Sequence, residues 1–203
     1  MRKMSEFQLV GRVIFFVTNN VNKFNEARTV LAEYGIAVGM LRVKTLEIQS
    51  DSLEEIAQSS VEEAFERCHL PVIVEDAGLF VNALNGFPGP YAAYVYKTVG
   101  NKGLLKLMEC FENRKATFRS VIAYRNENLP KPVCFCGEAH GRIALSEKTD
   151  QNRCGFGFDP IFMPDNSEKT FAEMDVAEKN KHSHRARAFH KFAEWYITLR
   201  KSH

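Results

Sequence analysis

Apolar runs bounded by short polar turns alternate along the chain with stretches in which apolar residues recur every three or four positions. Arg12–Thr18 predicts a buried strand, and Val21–Tyr34 carries Phe24, Ala27, Leu31 and Tyr34 at helical spacing, with Gly35 as its stop. A second strand follows near Ile36–Val43. Ser52 and Glu55 have the spacing of a capping box at the head of "SLEEIAQSSVEEAFERC", a helix. "PVIVED", residues 71–76, reads as a short, fully apolar strand ending in two carboxylates. "GFPGPY", 86–91, is rigid turn chemistry, with Pro90 placed to open a helix. A helix over Lys102–Phe111 precedes "ATFRSVIAYR" and "PVCFCGEAHGRIAL", whose polar, proline-containing connection predicts an antiparallel hairpin. "GFGFDPIF" and "TFAEM" follow, then an amphipathic helix from about Ser183 to Leu199.

Strand–helix alternation first, a hairpin later and a closing helix predict an α/β fold: a mixed, partly antiparallel central sheet flanked by helices. The connections are too short for two independent domains, so residues 1–203 are read as one domain of two lobes with a cleft between them. Sixteen phenylalanines exceed what a minimal core needs. A formal net charge of +2 argues against a general nucleic-acid binder, which needs a concentrated basic face, and leaves room for a local basic pocket. The five cysteines include no CxxC pair and are read as free thiols of a reducing compartment. No run approaches a membrane span or a signal peptide, so the expectation is a soluble, cytoplasmic protein.

Four stretches put polar residues where folding alone does not ask for them. Between the first strand and helix stand Thr18, Asn19 and Asn20, with Lys23 one turn in and no glycine. A helix amino terminus favours an anion, and these side chains add donors; Asn19 or Asn20 serving only as a cap, with Lys23 in solvent, is the plainer reading. In "VEDAGL", Glu75 and Asp76 suit a general base or metal ligand, although strand alternation keeps both from entering one pocket; a solvated strand end is the alternative. "GFGFDP" leaves Phe156 or Phe158 able to offer a ring face to a planar base, or simply to fill the core. In "AEKNKHSHRARA", a Ser183 cap would put His184 and Arg185 in a helix's first turn, where cations oppose the dipole at a cost of ~0.3–1 kcal/mol each. A zinc site from His182, His184 and His190 lacks a matching acidic or cysteine partner at helical spacing.

Taken in order, these stretches resemble the inosine triphosphatase family, pyrophosphatases of XTP, ITP and dITP. The "TxNxxKxxE" segment is matched by Thr18, Asn20, Lys23 and Glu26, the "(V/I)ED(S/T/A)GL" signature by Glu75, Asp76, Gly78 and Leu79, and "LNGFPGPY", "GFGFDPIF", "TFAEM" and "AEKN…SHR" follow in register over Val13–Tyr196. Residues 1–12 lie outside the match as an amino-terminal extension. The resemblance implies Mg²⁺-dependent hydrolysis between the α- and β-phosphates. Glu47, Glu75 and Asp76 would hold the metal, and Asp76 would activate water. Thr18, Asn20 and Lys23 would hold the phosphates, Phe156 would stack on the base, and Asp159, Lys179, His184 and Arg185 would recognise it. It also implies a homodimer acting on a small-molecule nucleotide, with no nucleic-acid or membrane partner. The chain departs from the family at Ser60, where many members carry a phosphate-facing lysine; Arg67, in the same helix, is the candidate substitute. A pyrophosphatase for other modified nucleotides and a non-catalytic nucleotide- or RNA-binding protein are the alternatives; product formation with Mg²⁺ separates them.

Overall fold

A computed structural model describes residues 13–46, 48–149 and 155–201. The extension at 1–12, Glu47 and Cys154 lie outside the described residues. One mixed sheet runs β2-β1-β3-β5-β6-β7. Its strands are β1 (Val13–Val17), β2 (Ala37–Leu41), β3 (Val72–Val81), β5 (Lys115–Arg125), β6 (Val133–Ile143) and β7 (Phe162–Pro164), with the two-residue β4 (Pro88–Gly89) also paired to β3. β1 is parallel to β2 and β3, and every other pairing is antiparallel. The hairpin expectation holds: β5 and β6 pair from Lys115↔Arg142 to Tyr124↔Val133.

Three helices cover the first lobe. On one face α1 (Val21–Glu33) and α6 (His184–Lys201) bury Leu31, Phe189 and Phe192 against Ile14, Phe16, Ile73 and Ile122. On the other, α2 (Leu53–Cys68) sets Ala57 and Val61 on Val72, Val74 and Val121. At about 1.5–3 kcal/mol per fully buried large aliphatic or aromatic side chain, these layers hold all three helices to the sheet. The far halves of β3, β5 and β6 cross into a second core. There Leu79, Phe118, Phe162 and Phe171 pack with α3 (Ala92–Thr98) and α4 (Gly100–Leu107), and the short α5 (Val176–His182), which carries Lys179, leads into α6.

Two sequence expectations change. "PVIVED" is not a strand end. β3 continues through Asp76 to Val81 because β5 pairs with it along its whole length, and a glycine at 78 admits the turn at Gly89, whose carbonyl oxygen would stand 2.5 Å from a side-chain β-carbon. The capping box at α2 is completed by a third residue. The Ser52 hydroxyl accepts from the Glu55 N–H, while the Glu55 carboxylate accepts from Ser50 Oγ, which in turn accepts from the Ser52 N–H. At the opposite border of the sheet, β7 pairs with only residues 141–143 of β6. Beyond it, Arg187 and Lys191 of α6 donate to the carbonyl oxygens of Glu138 and Cys136 at 2.6 and 2.7 Å. Among the described residues no helix is long and apolar enough to cross a membrane, and Cys68, Cys110, Cys134 and Cys136 are free thiols.

Candidate functional site

β1 ends at Val17, one residue past the Phe16↔Ile73 pair, so from about Val74 onward β3 runs on without β1 beside it. Asn20 is the helix cap: its Oδ1 accepts from the N–H groups of Asn22 and Lys23, while Thr18 Oγ1 accepts from the Asn20 N–H. The turn is therefore rigid, with the Asn20 amide NH₂ and the Thr18 hydroxyl proton still able to donate. Lys23 does not extend into solvent. Its ammonium stands 2.8 Å from Glu75 Oε2, as an ion pair rather than an aligned hydrogen bond, and 3.4 Å from the Glu75 carbonyl oxygen.

From Lys23 a line of buried charges of alternating sign runs on to Asp159. Glu75 Oε1 accepts from Ser120 Oγ at 2.6 Å and Arg185 Nε at 3.1 Å. Arg185 Nη1 donates to Glu26 Oε2 at 2.6 Å, and Glu26 Oε1 accepts from Lys179 Nζ at 2.8 Å. Lys179 also donates to Asp159 Oδ2 at 2.7 Å, and that oxygen accepts the Phe156 N–H, which fixes the "GFGF" turn. Three cations and three carboxylates thus balance in a space almost closed to water. Desolvation alone would push the Glu75 and Glu26 carboxyls up. Only together do the opposing interactions outweigh it, Arg185 with Lys23 and the Ser120 hydroxyl at Glu75 and Arg185 with Lys179 at Glu26, and they hold both below the ordinary carboxylate range. Asp159 goes the other way: burial, aided by Glu26, raises it against Lys179. Burial would lower the Arg185 guanidinium, but Glu75 and Glu26 leave it raised and firmly charged.

The two rings between which the sequence left the choice open are placed differently. Phe158 is buried in the second core against Tyr96, whereas Phe156 is part-exposed, with Lys179 Nζ 4.7 Å and the Arg185 guanidinium 5.4 Å from its ring centre. Ser183 caps α6 through the Ala186 N–H, as expected. His184 lies flat on Phe118, ring centres 4.6 Å apart and planes at 9°, with Phe171 of "TFAEM" behind it. Burial, reinforced by Arg185, pulls its pKa well below the usual 6.5, so the ring is neutral, and its buried Nδ1 has no partner among the described residues. What brings α6 so close is Gly137 of β6: a β-carbon there would lie 2.2 Å from the His184 carbonyl oxygen.

Thr18, Asn20, Lys23, Phe156, Asp159, Lys179, His184 and Arg185 thus lie along or next to this one line of charges. Asp76, half-buried, points to the opposite face of β3 from Glu75, over the side packed by α2. Glu47 lies outside the described residues. Glu75, expected to hold a metal beside Asp76, faces a hydroxyl and two cations: Oε1 accepts from Ser120 and Arg185, and Oε2 pairs with Lys23. Among the described residues no three His, Cys, Asp or Glu side chains converge as a metal cage. Asp76, half-buried, is a carboxylate of the kind that Mg²⁺ takes, one or two at a time, together with several waters and substrate phosphates. Ser60 is buried on α2, and Arg67, the candidate substitute for the missing lysine, pairs with Glu63 in the last turns of α2. Two site residues escaped the sequence reading. Glu26 was matched in a motif but given no task, and Ser120 was not singled out; its one sequence signal is a hydroxyl at an inward position of an apolar strand.

The model of the Ham1 family matches residues 14–195. The dITP/XTP pyrophosphatase of Methanopyrus kandleri is 52% identical over 183 residues, 90% of this chain and 95% of that protein. That of Thermococcus kodakarensis is 48% identical over 180 residues, 89% and 95% of the two chains. Among solved structures, a HAM1 protein from Coxiella burnetii aligns with a TM-score of 0.79 at 28% identity, covering 93% of this chain and all (100%) of that one. The Staphylococcus aureus Ham1 protein aligns at 0.77 and 28%, covering 92% and 99%. The match spans both lobes and every stretch that lines the cleft, and the chain belongs to the Ham1 family.

Proposed function

We propose that this chain hydrolyses dITP, XTP and ITP to the nucleoside monophosphate and pyrophosphate, removing deaminated purine nucleotides from the pool. The observation that carries the reading is the buried line of charges that runs from Lys179 and Arg185, beside the Phe156 ring, to Lys23 at the capped turn. The relatives' names point the same way.

Phe156 would stack on the base, with Asp159 accepting a ring N–H. Hypoxanthine and xanthine present an acceptor at position six, which suits the N–H groups of Lys179, His184 and Arg185. Adenine would set its amino group against them, a buried mismatch worth ~1–3 kcal/mol. Thr18, Asn20 and Lys23 would hold the phosphate tail. The tail brings about four negative charges, each worth about 4 kcal/mol against a cation ~4 Å away at an effective dielectric near 20. Because the buried cations are already matched by carboxylates, that charge needs Mg²⁺, held by Asp76 with Glu47. The ion would neutralise and polarise the phosphates. Asp76 would orient and deprotonate the attacking water at the α-phosphate. The reading extends to a homodimer acting on free cytoplasmic nucleotides.

Pyrophosphate release from dITP, XTP, dATP and dGTP with Mg²⁺ tests it. Preference for dITP and XTP is expected; equal turnover of all four, or orthophosphate as the product, overturns it. Asp76→Asn should lower kcat by roughly 10²-fold or more while dITP still binds. A near-normal kcat removes Asp76 from the role.

A further inference from the structure

Ser120 breaks the pattern of its strand. The β5 residues on its face, Ala116, Phe118, Ile122 and Tyr124, are apolar, and Ser120 is fully buried in the middle of them. A hydroxyl in such a setting is destabilising unless it is bonded, and its partner is Glu75 Oε1 at 2.6 Å. The ladder does not impose this bond. Glu75 lies opposite Ile122 and Ser120 opposite Ala77, so the contact runs along a diagonal of the sheet. Across β6, Ser120 faces Gly137, where the first turn of α6 comes down on the sheet. Ser120, Glu75 and Arg185 therefore meet where two central strands and a helix touch.

Glu75 divides its two oxygens between the ends of the cleft. Oε1 takes Ser120 and Arg185, and Oε2 faces Lys23. Lys23 and Arg185 reach the carboxylate on long, multiply rotatable stems. Ser120 has one side-chain torsion and sits on a strand paired on both sides. It fixes where Oε1 points, and the planar carboxylate then fixes Oε2.

We propose that Ser120 is a positioning residue: by orienting Glu75 it holds Arg185, at the base pocket, and Lys23, at the phosphate turn, at the spacing that brings the scissile anhydride beside Asp76. The inference rests on the reaction proposed above. With Glu75 loosened, a nucleotide still finds both cations, but its reacting atoms drift, and a misplacement of about 1 Å lowers a rate by up to roughly 10²-fold.

The test compares Ser120→Ala and Ser120→Cys in the full chain; the thiol keeps the shape and is a weak donor. With dITP, Ser120→Ala should lower kcat by roughly tenfold or more while KM changes by less than about threefold. The preference for dITP over dATP should shrink with it. The double variant with Glu75→Gln should be no slower than Glu75→Gln alone, because Ser120 acts through that carboxylate. A purely structural role would lower the melting temperature and leave kcat and preference in place. That result, or multiplying effects in the double variant, overturns the proposal. If Ser120→Ala does not fold, Ser120→Cys carries the same comparison. If the wild type releases no pyrophosphate from dITP, the reaction reading fails and a crystal structure of the folded variant decides the positioning claim. A displaced Glu75 carboxylate with Lys23 and Arg185 shifted supports it, and an unmoved carboxylate overturns it.

Discussion

Glu26 stands between Lys179 and Arg185 with both oxygens engaged, and its removal would leave two buried cations short of a partner. Glu26→Ala should therefore destabilise the fold by about 3–5 kcal/mol, read by guanidinium denaturation, far more than a surface ion pair would cost. His184 gives a second prediction. Its folded pKa lies well below 6.5, so the unfolded chain takes up a proton that the folded one refuses. That stability is fully present above about pH 6.5 and declines as the pH falls, at up to about 1.4 kcal/mol per pH unit. Glu75 and Glu26, with lowered pKa values, add a further loss below about pH 4.5, where their unfolded forms protonate first. His184→Gln should flatten the slope between pH 6.5 and 5 in denaturation measured at several pH values; an unchanged slope would assign it to another group. The sequence did not disclose the position of Glu26, because its partners stand 153 and 159 residues away. A pattern reading counts apolar positions on α1 and has no means of placing a buried acid.

Elements were legible where short-range rules decide them. Helix caps at Asn20 and Ser183, the β5–β6 hairpin and the alternation of "VED" follow from local spacing and turn chemistry. The length of β3 was not legible, because "EDAG" looks like a strand end unless β5 is already beside it. The approach of α6 to the sheet was hidden for the same reason, since a single glycine in β6 says nothing about what rests on it. It gives a clear prediction. Gly137→Ala would push a β-carbon to 2.2 Å from the His184 carbonyl and 2.5 Å from the Ala188 nitrogen, both backbone atoms that cannot swing aside. The helix must lift and carry Arg185 off Glu75 and Glu26. Stability should fall by about 1–3 kcal/mol, and kcat with dITP should fall with it. Normal activity at reduced stability would separate helix placement from the chemistry.

At the scale of the whole molecule, two lobes share one sheet: β3 and β5 pair without a break from Val72↔Arg125 to Val81↔Ala116. Neither core closes without those strands, so unfolding should be a single cooperative event. Trp195, the only tryptophan, packs beside Tyr124 and Phe135 in the first lobe, whereas far-ultraviolet circular dichroism sums over both lobes. Their denaturant midpoints should coincide, and a gap between them would mean that the lobes unfold separately.

The open border of β6 has a consequence for the protein at high concentration. A row of bare strand carbonyls is a template on which any extended chain can add itself, the first step towards stacked aggregates. Arg187 and Lys191 occupy that row, and their guanidinium and ammonium charges repel a second copy approaching along the same line. Removing both should leave the folded molecule intact but make it sticky, visible as rising light scattering in samples that the native chain keeps clear. The helix that delivers Arg185 to the cleft thus also keeps the sheet from growing.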